Sequence, residues 1–173
     1  MPKPPIWIGN LGPTPLKEIW AAISEKGLVR VDFSVSGVEF SSSVQKQTGR
    51  EVEYAPDRLA EVTRQIKEYL DGERRTFDLR IDWLILASDF QRAALRVVFA
   101  IPYGQTRTYA RVARQVGQPD APRAVGRANA TNPMPLVIPC HRVIGTDGKL
   151  HGYGGAGGLK TKEWLLKLEG AKY

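Results

Sequence analysis

Cysteine and histidine are scarce in this chain, and each scarcity removes a class of protein. One cysteine in 173 residues cannot close an internal disulfide, so a disulfide-stapled secreted fold is excluded. A reducing compartment is expected instead, cytoplasmic or, in a eukaryote, nuclear. Both histidines, His141 and His151, lie in the second half, so the first half lacks the ligands for a zinc site. No metal or other cofactor is expected. Long apolar runs are missing too: stretches such as Trp83-Leu84-Ile85-Leu86-Ala87 fall far short of the ~20 residues a membrane helix needs. The start, Met1-Pro2-Lys3-Pro4-Pro5, has neither the charged head nor the apolar centre of a secretory signal. What is present is a globular composition, 42% hydrophobic, long enough for one or two domains with a real core.

Acidic residues are scarce in one half only. Residues 1–85 hold 12 Lys and Arg against 13 Asp and Glu, a net charge of −1, whereas residues 86–173 hold 13 against 5, a net of +8. The whole basic excess accompanies the lone cysteine. Such a field suits a polyanion, nucleic acid above all, with salt-sensitive binding; a solvated basic surface kept for solubility is the plainer reading.

The first half reads as a small α+β domain. Residues 28–35 alternate like a half-buried strand, with Val29, Val31, Phe33 and Val35 on one face. The polar stretch 41–49 reads as a turn or loop. Residues 57–70 carry Leu59, Val62, Ile66, Tyr69 and Leu70 in a helical stripe closed by Asp71-Gly72. Residues 72–86 make a connector of turn residues and mixed charge. Ser88 then caps a helix over residues 89–100 that buries Phe90, Leu95 and Val98 or Phe99, ending before Pro102-Tyr103-Gly104.

Two short helices follow, residues 108–116 and 122–130, joined by Gly117-Gln118-Pro119-Asp120, the pattern of a helix-turn-helix. Ala124, Gly126 and Ala128 make the second helix slim, which suits close backbone approach to a minor groove, with Arg123 at its start as a wedge. A tightly packed Ala/Gly helix would look the same.

Cys140 sits in Pro139-Cys140-His141-Arg142-Val143. Most lone cysteines are small buried hydrophobes, but an adjacent imidazole and guanidinium are what a thiol needs to ionise near neutral pH, and they favour a nucleophile. The wider run Ile138-Pro139-Cys140-His141-Arg142-Val143-Ile144-Gly145 has Asn132-Pro133 before it and Gly157-Gly158-Leu159 after it. This signature resembles that of the O6-alkylguanine-DNA alkyltransferases. Ser88-Asp89-Phe90-Gln91-Arg92, Ile101-Pro102-Tyr103-Gly104-Gln105-Thr106 and Arg123-Ala124-Val125-Gly126 resemble the same family in the same order, so the match spans roughly residues 85–170.

The resemblance implies a small N-terminal α/β (ribonuclease H-like) domain, residues 1–85, and a mainly helical C-terminal domain with the helix-turn-helix, residues 86–173. It implies a monomer that extrudes O6-alkylguanine from double-stranded DNA and moves the alkyl group irreversibly onto Cys140, and it leaves open whether O4-alkylthymine is also a substrate. His141 would take the thiol proton through a water and Glu169, rather than Glu163, would orient the imidazole. Asn132 would tie the recognition helix to the active-site segment, and Tyr109 would help turn the nucleotide. Spacing alone favours a core aromatic for Tyr109 and a plain turn for Asn132-Pro133. Thr108, Arg123, Ala124 and Gly126 would meet DNA. Val143, Tyr153, Ala156 and Lys162 would surround the base, beneath a lid formed by the glycine-rich loop 152–158. Within this family Ala156 stands where a serine can occur, and the loop is longer than in some relatives.

An alkyl-cysteine has no easy leaving path, and no second thiol is present to regenerate it, so turnover should be single. Three rival readings differ in class: a damage-binding protein of alkyltransferase-like type, which would lack the acceptor cysteine; a cysteine hydrolase, which typically draws its histidine from a distant part of the chain; and a helix-turn-helix regulator, which would need a dimerisation element.

Overall fold

The structure is a computed structural model that describes residues 1–86 and 88–173. Ala87, the last residue of the apolar run noted above, lies outside the described residues. The chain divides into two compact units, Met1–Ile85 and Leu86–Tyr173.

In the first unit, β1 (Ile6–Asn10), β2 (Ile19–Ser24) and β3 (Gly27–Phe33) form an antiparallel meander, and β4 (Val52–Tyr54) joins β1 in parallel, giving the order β3-β2-β1-β4. The tight return from β2 to β3 pairs Ser24 with Gly27, whose φ of 144° favours glycine. Ile6, Ile8, Ala22 and Val29 pack with Phe40 and Val44 of α1 (Gly37–Thr48) into one cluster. A 3-10 turn over Pro56–Leu59 leads into α2 (Ala60–Leu70), which buries Val62, Ile66, Tyr69 and Leu70.

Three sequence expectations change here. Residues 41–49 are not a loop but most of α1. Ser36 and Glu39 make a reciprocal capping box, Gly49 closes the other end at φ 63°, and Phe40 and Val44, four apart, supply the buried stripe that the serines disguise. The strand expected to reach Val35 ends at Phe33, because Ser34 turns to φ 61°. Residues 72–86 are more than a connector: Leu28 N–H donates to Arg80 O at 2.8 Å, Asp82 N–H donates to Leu28 O at 2.8 Å, and a 3-10 turn forms at Trp83–Ile85.

The second unit opens with α3 (Asp89–Phe99), whose N-cap Ser88 accepts from Gln91 N–H at 3.1 Å. Its buried face is Ala94, Leu95 and Val98; Phe99 is exposed and Phe90 only half-buried, because the stripe follows the i, i+1, i+4 positions 94, 95 and 98. Then come β5 (Arg107–Thr108), α4 (Tyr109–Gln115), α5 (Pro122–Ala130), a 3-10 turn at Cys140–Arg142, β6 (Val143–Ile144) and α6 (Gly158–Leu168). The parallel pairing of β5 with β6 sets Arg107 against Val143 and Thr108 against Ile144. That pairing brings the start of α4 beside the chain that leaves Cys140. No helix among the described residues is long and apolar enough to cross a membrane.

Candidate active site

Between α5 and Cys140 the chain is pinned to the core by Met134, Leu136, Val137 and Ile138, all essentially buried. Asn132 organises this stretch, its Nδ2 donating to Ile138 O at 2.8 Å and its Oδ1 accepting from Met134 N–H at 2.9 Å. Cys140 emerges 4% exposed. An extended segment would have turned Cys140 and His141 to opposite sides. Instead Arg142 N–H donates to Pro139 O at 2.9 Å and the chain tightens into a 3-10 turn.

His141 is wholly buried, and its Nε2 lies 2.7 Å from Glu169 Oε1. Glu169 sits at the C-cap of α6 and also accepts from Arg142 Nε at 2.9 Å, from Arg142 Nη2 at 2.9 Å and from Gly104 N–H at 3.1 Å. Arg142 Nη1 donates onward to Ile101 O. Glu163, the rival candidate, makes an exposed pair with Lys167 at 2.9 Å. A carboxylate with this many donors stays ionised: burial works against the charge, but the bonds from His141 and Arg142 outweigh it and hold Glu169 well below the usual carboxylate range. Burial pushes the His141 pKa down despite Glu169, so the imidazole is neutral at pH 7. With Nε2–H directed at the carboxylate, Nδ1 carries the lone pair.

Burial also raises the Cys140 thiol pKa, against opposing contributions from the Asn132 side chain and the Lys162 charge. Lys162 is itself completely buried, its ammonium donating to the carbonyls of Val143 and Leu150, each at 2.6 Å, and of Gly152 at 3.2 Å, with Tyr109 Oη at 3.4 Å. Burial lowers its pKa to about 8.

A cavity of about 490 Å³ opens onto Cys140, walled by Tyr109, Arg123, Gly126, Asn129 and Tyr153. A volume of that order suits a small aromatic ligand. Burial raises the phenol pKa of both Tyr109 and Tyr153, with the nearby Cys140 adding to the effect, so both stay protonated donors. Gly154 has to be glycine, since a Cβ there would strike the carbonyl of Ala130.

Of the residues singled out in the sequence, Cys140, Tyr109, Arg123, Gly126 and Tyr153 share the cavity wall. Asn132, His141, Glu169 and Lys162 form the layer that supports it. Val143 and Ala156 do not line it: the Val143 carbonyl is held by Lys162, and the Ala156 carbonyl accepts from Thr161 Oγ1 at 2.7 Å. Ala124 faces a separate groove with Ser88, Gln91, Arg127 and Thr131. Thr108 caps α4, its hydroxyl accepting from Arg111 N–H at 3.1 Å. Sequence reasoning missed Asn129 and His151 in the cavity wall. It also missed Lys162 as a strut, although Lys162, Leu165, Leu166 and Glu169 recur at helical spacing on the buried face, a signal that was there to read. Among the described residues no group of three His, Cys, Asp or Glu could hold a metal ion.

The family model for the 6-O-methylguanine DNA methyltransferase DNA binding domain matches residues 89–171, and that for the ribonuclease-like domain of the same family matches residues 10–83. The chain is 42% identical over 156 residues to the methylated-DNA–protein-cysteine methyltransferase of Methanosarcina barkeri, covering 90% of this chain and 92% of that one. It is 49% identical over 114 residues to the protein of that name from Mycolicibacterium paratuberculosis, 66% of this chain and 67% of the relative. The crystal structure of Mycobacterium tuberculosis OGT in complex with DNA superposes with a TM-score of 0.78 at 33% identity, covering 95% of this chain and 92% of that one.

Proposed function

Because the chain belongs to the 6-O-methylguanine DNA methyltransferase family, we propose that it repairs DNA by transferring the alkyl group of O6-alkylguanine to Cys140, once per molecule. The observation that carries this reading is a lone thiol at the wall of a base-sized cavity, with a neutral imidazole next to it in the chain and a fixed carboxylate behind that imidazole. O6 of guanine is engaged in pairing inside a duplex, so the nucleotide must leave the stack before sulfur can reach it. The slim α5, entered through Arg123, supplies a helix that approaches the backbone closely and a side chain to fill the gap. The net +8 of residues 86–173 supplies the phosphate attraction.

The chemistry follows from the proton positions. At rest the buried thiol is protonated; His141 Nδ1, relayed by water, accepts its proton while Glu169 steadies the imidazolium that forms. The Lys162 ammonium favours the thiolate. Sγ attacks the alkyl carbon in line, an S–C bond forms, the C–O6 bond breaks, and its electron pair stays on the guanine. The guanine then takes a proton, returned through His141 or donated by the Tyr109 phenol, which is regenerated in the same way. The products are a thioether on Cys140 and intact guanine. An acceptor that must remain a free thiol fits a reducing intracellular compartment.

The test is to incubate the protein with duplex DNA containing O6-methylguanine and measure its intact mass. A gain of one methyl group, localised to Cys140 and saturating at one per chain, is the expected result. No gain, or a gain elsewhere, overturns the reading.

A further inference from the structure

α5 stands between two hollows. One flank, through Arg123, Gly126 and Asn129, walls the cavity beside Cys140. The other, through Ala124, Arg127 and Ala128, walls a separate groove of about 390 Å³, closed on its far side by Ser88, Phe90 and Gln91 at the start of α3. Between the flanks runs an exposed crest of Arg123, Arg127 and Ala130, and Ala130 borders both hollows. The two arginines sit one turn apart, about 6 Å along the helix axis, one at the rim of each hollow.

Arg127 takes no part in holding the fold. Its guanidinium is exposed and makes no hydrogen bond or ion pair among the described residues. Of the five acidic residues in 86–173, Asp89, Asp147, Glu163 and Glu169 are paired with Arg92, His151, Lys167 and Arg142, and Asp120 lies in the turn before α5. The groove beside Arg127 is nevertheless firmly built, since Gln91 Nε2 donates to Thr131 Oγ1 at 2.9 Å and so braces α3 against the end of α5. Its one charged lining residue among those described is this uncompensated cation, so the groove is complementary to an anion.

We propose that this second groove seats the backbone of the strand complementary to the lesion, with the Arg127 guanidinium hydrogen-bonded to one of that strand's phosphates. This rests on the alkyl-transfer reading above. A helix laid along a minor groove has one strand on each flank. The nucleotide extruded from the damaged strand enters the cavity on the flank of Arg123, so the flank of Arg127 faces the undamaged strand. A planar fork of donors matches a phosphate in geometry as well as in charge. Arg127 thus holds the undamaged strand in place while its partner is distorted, and it acts on the duplex and not on the reacting carbon.

The test is a cycle between the side chain and individual phosphates. Affinity is measured for duplexes carrying O6-methylguanine in which one phosphate at a time, in either strand, is replaced by an uncharged methylphosphonate. For the wild-type protein, one or two adjacent linkages in the complementary strand should each weaken binding by about tenfold, the scale of one charge-assisted hydrogen bond. In Arg127→Gln, affinity for the unmodified duplex should fall by about tenfold and the slope of log affinity against log salt should become shallower by about one. The same complementary-strand linkages should then cease to matter, while neutral linkages in the damaged strand keep their effect.

Arg127→Lys, which keeps the charge, should restore sensitivity to those linkages. Single-turnover transfer gives a second reading: Arg127→Gln should slow repair of the duplex more than repair of the same lesion in a single-stranded oligonucleotide, which has no complementary strand to hold. If the linkages that cease to matter lie in the damaged strand, if none ceases to matter, or if duplex and single strand lose rate equally, the proposal is overturned and alkyl transfer is left standing. Strand-specific binding through Arg127 with no methyl gain at Cys140 would instead overturn the alkyl-transfer reading.

Discussion

In the unit Met1–Ile85 the buried polar side chains are Ser24 and Gln65, and both are fully engaged: Ser24 with Asp82 and Lys26, Gln65 with Glu61 and both backbone groups of Asp78. Its charged pairs, such as Arg64 with Glu61 and Glu68, lie partly or largely in solvent. In the unit Leu86–Tyr173, by contrast, His141, Arg142, Lys162 and Glu169 are buried charges or potential charges, and Asn129 is a buried amide with no partner among the described residues. Desolvating a charge is expensive unless it is paired and hydrogen-bonded. The second unit accepts that cost around the segment Cys140–Val143, which Lys162 and Glu169 reach from α6 and its C-cap, whereas the first uses its polar residues to join segments of the fold. The difference marks where chemistry is located without reference to any motif.

The sharpest way to break this comparison is to remove the thiol that the buried groups surround. Cys140→Ser keeps the shape but offers a far weaker nucleophile, so methyl gain in intact-mass measurements should vanish while DNA affinity is kept. Next in size is Glu169→Gln. It leaves Arg142 as a buried cation without its counter-charge, and should cost about 3–5 kcal/mol, read as a fall in Tm together with slowed transfer.

Acid should expose the same contrast more gently. The folded state holds His141 neutral, with a pKa below its ordinary 6.5, so on acidification the unfolded chain takes up a proton that the folded chain refuses. Stability should therefore fall as pH drops below about 6.5. A second loss should begin below about 4.5, where the depressed pKa of Glu169 adds the same sign. Tm measured from pH 7 to 5 should drop further for the wild-type protein than for His141→Gln. Smallest of all, Glu61→Gln in the first unit removes an exposed ion pair and should leave Tm unchanged within error; a loss as large as that for Glu169→Gln would dissolve the distinction between the units.

What could be read from the sequence follows the same division. Cys140, His141 and Glu169 were legible because a resemblance places chemically matched residues in order, and the 2.7 Å contact of His141 with Glu169 agrees with the pairing chosen over Glu163. Both short helices at residues 108–130 were legible from their caps and turn. α1 was not, since eight of its twelve residues, the serines at 41–43 among them, are polar and its helical information lies in two caps and two buried residues. β1 and β2 escaped because Ile6, Ile8 and Gly9 are buried together, as are Ala21 and Ala22, without the clean alternation of a half-exposed strand. Asn129 was invisible for another reason: in an Ala-rich helix it reads as an ordinary surface residue, and only tertiary packing reveals that its amide is enclosed.

The position of Glu169 has a consequence for the birth of the molecule. The residues that Glu169 joins, His141, Arg142 and Gly104, are all made before it, and Cys140 precedes it by 29 positions. On the proposed reading, while the polypeptide is still being translated Cys140 exists without the carboxylate that would orient His141 and that pairs with Arg142. Transfer would then be deferred until α6 has been synthesised and has docked, which would keep an acceptor that works only once from being spent on a half-made chain.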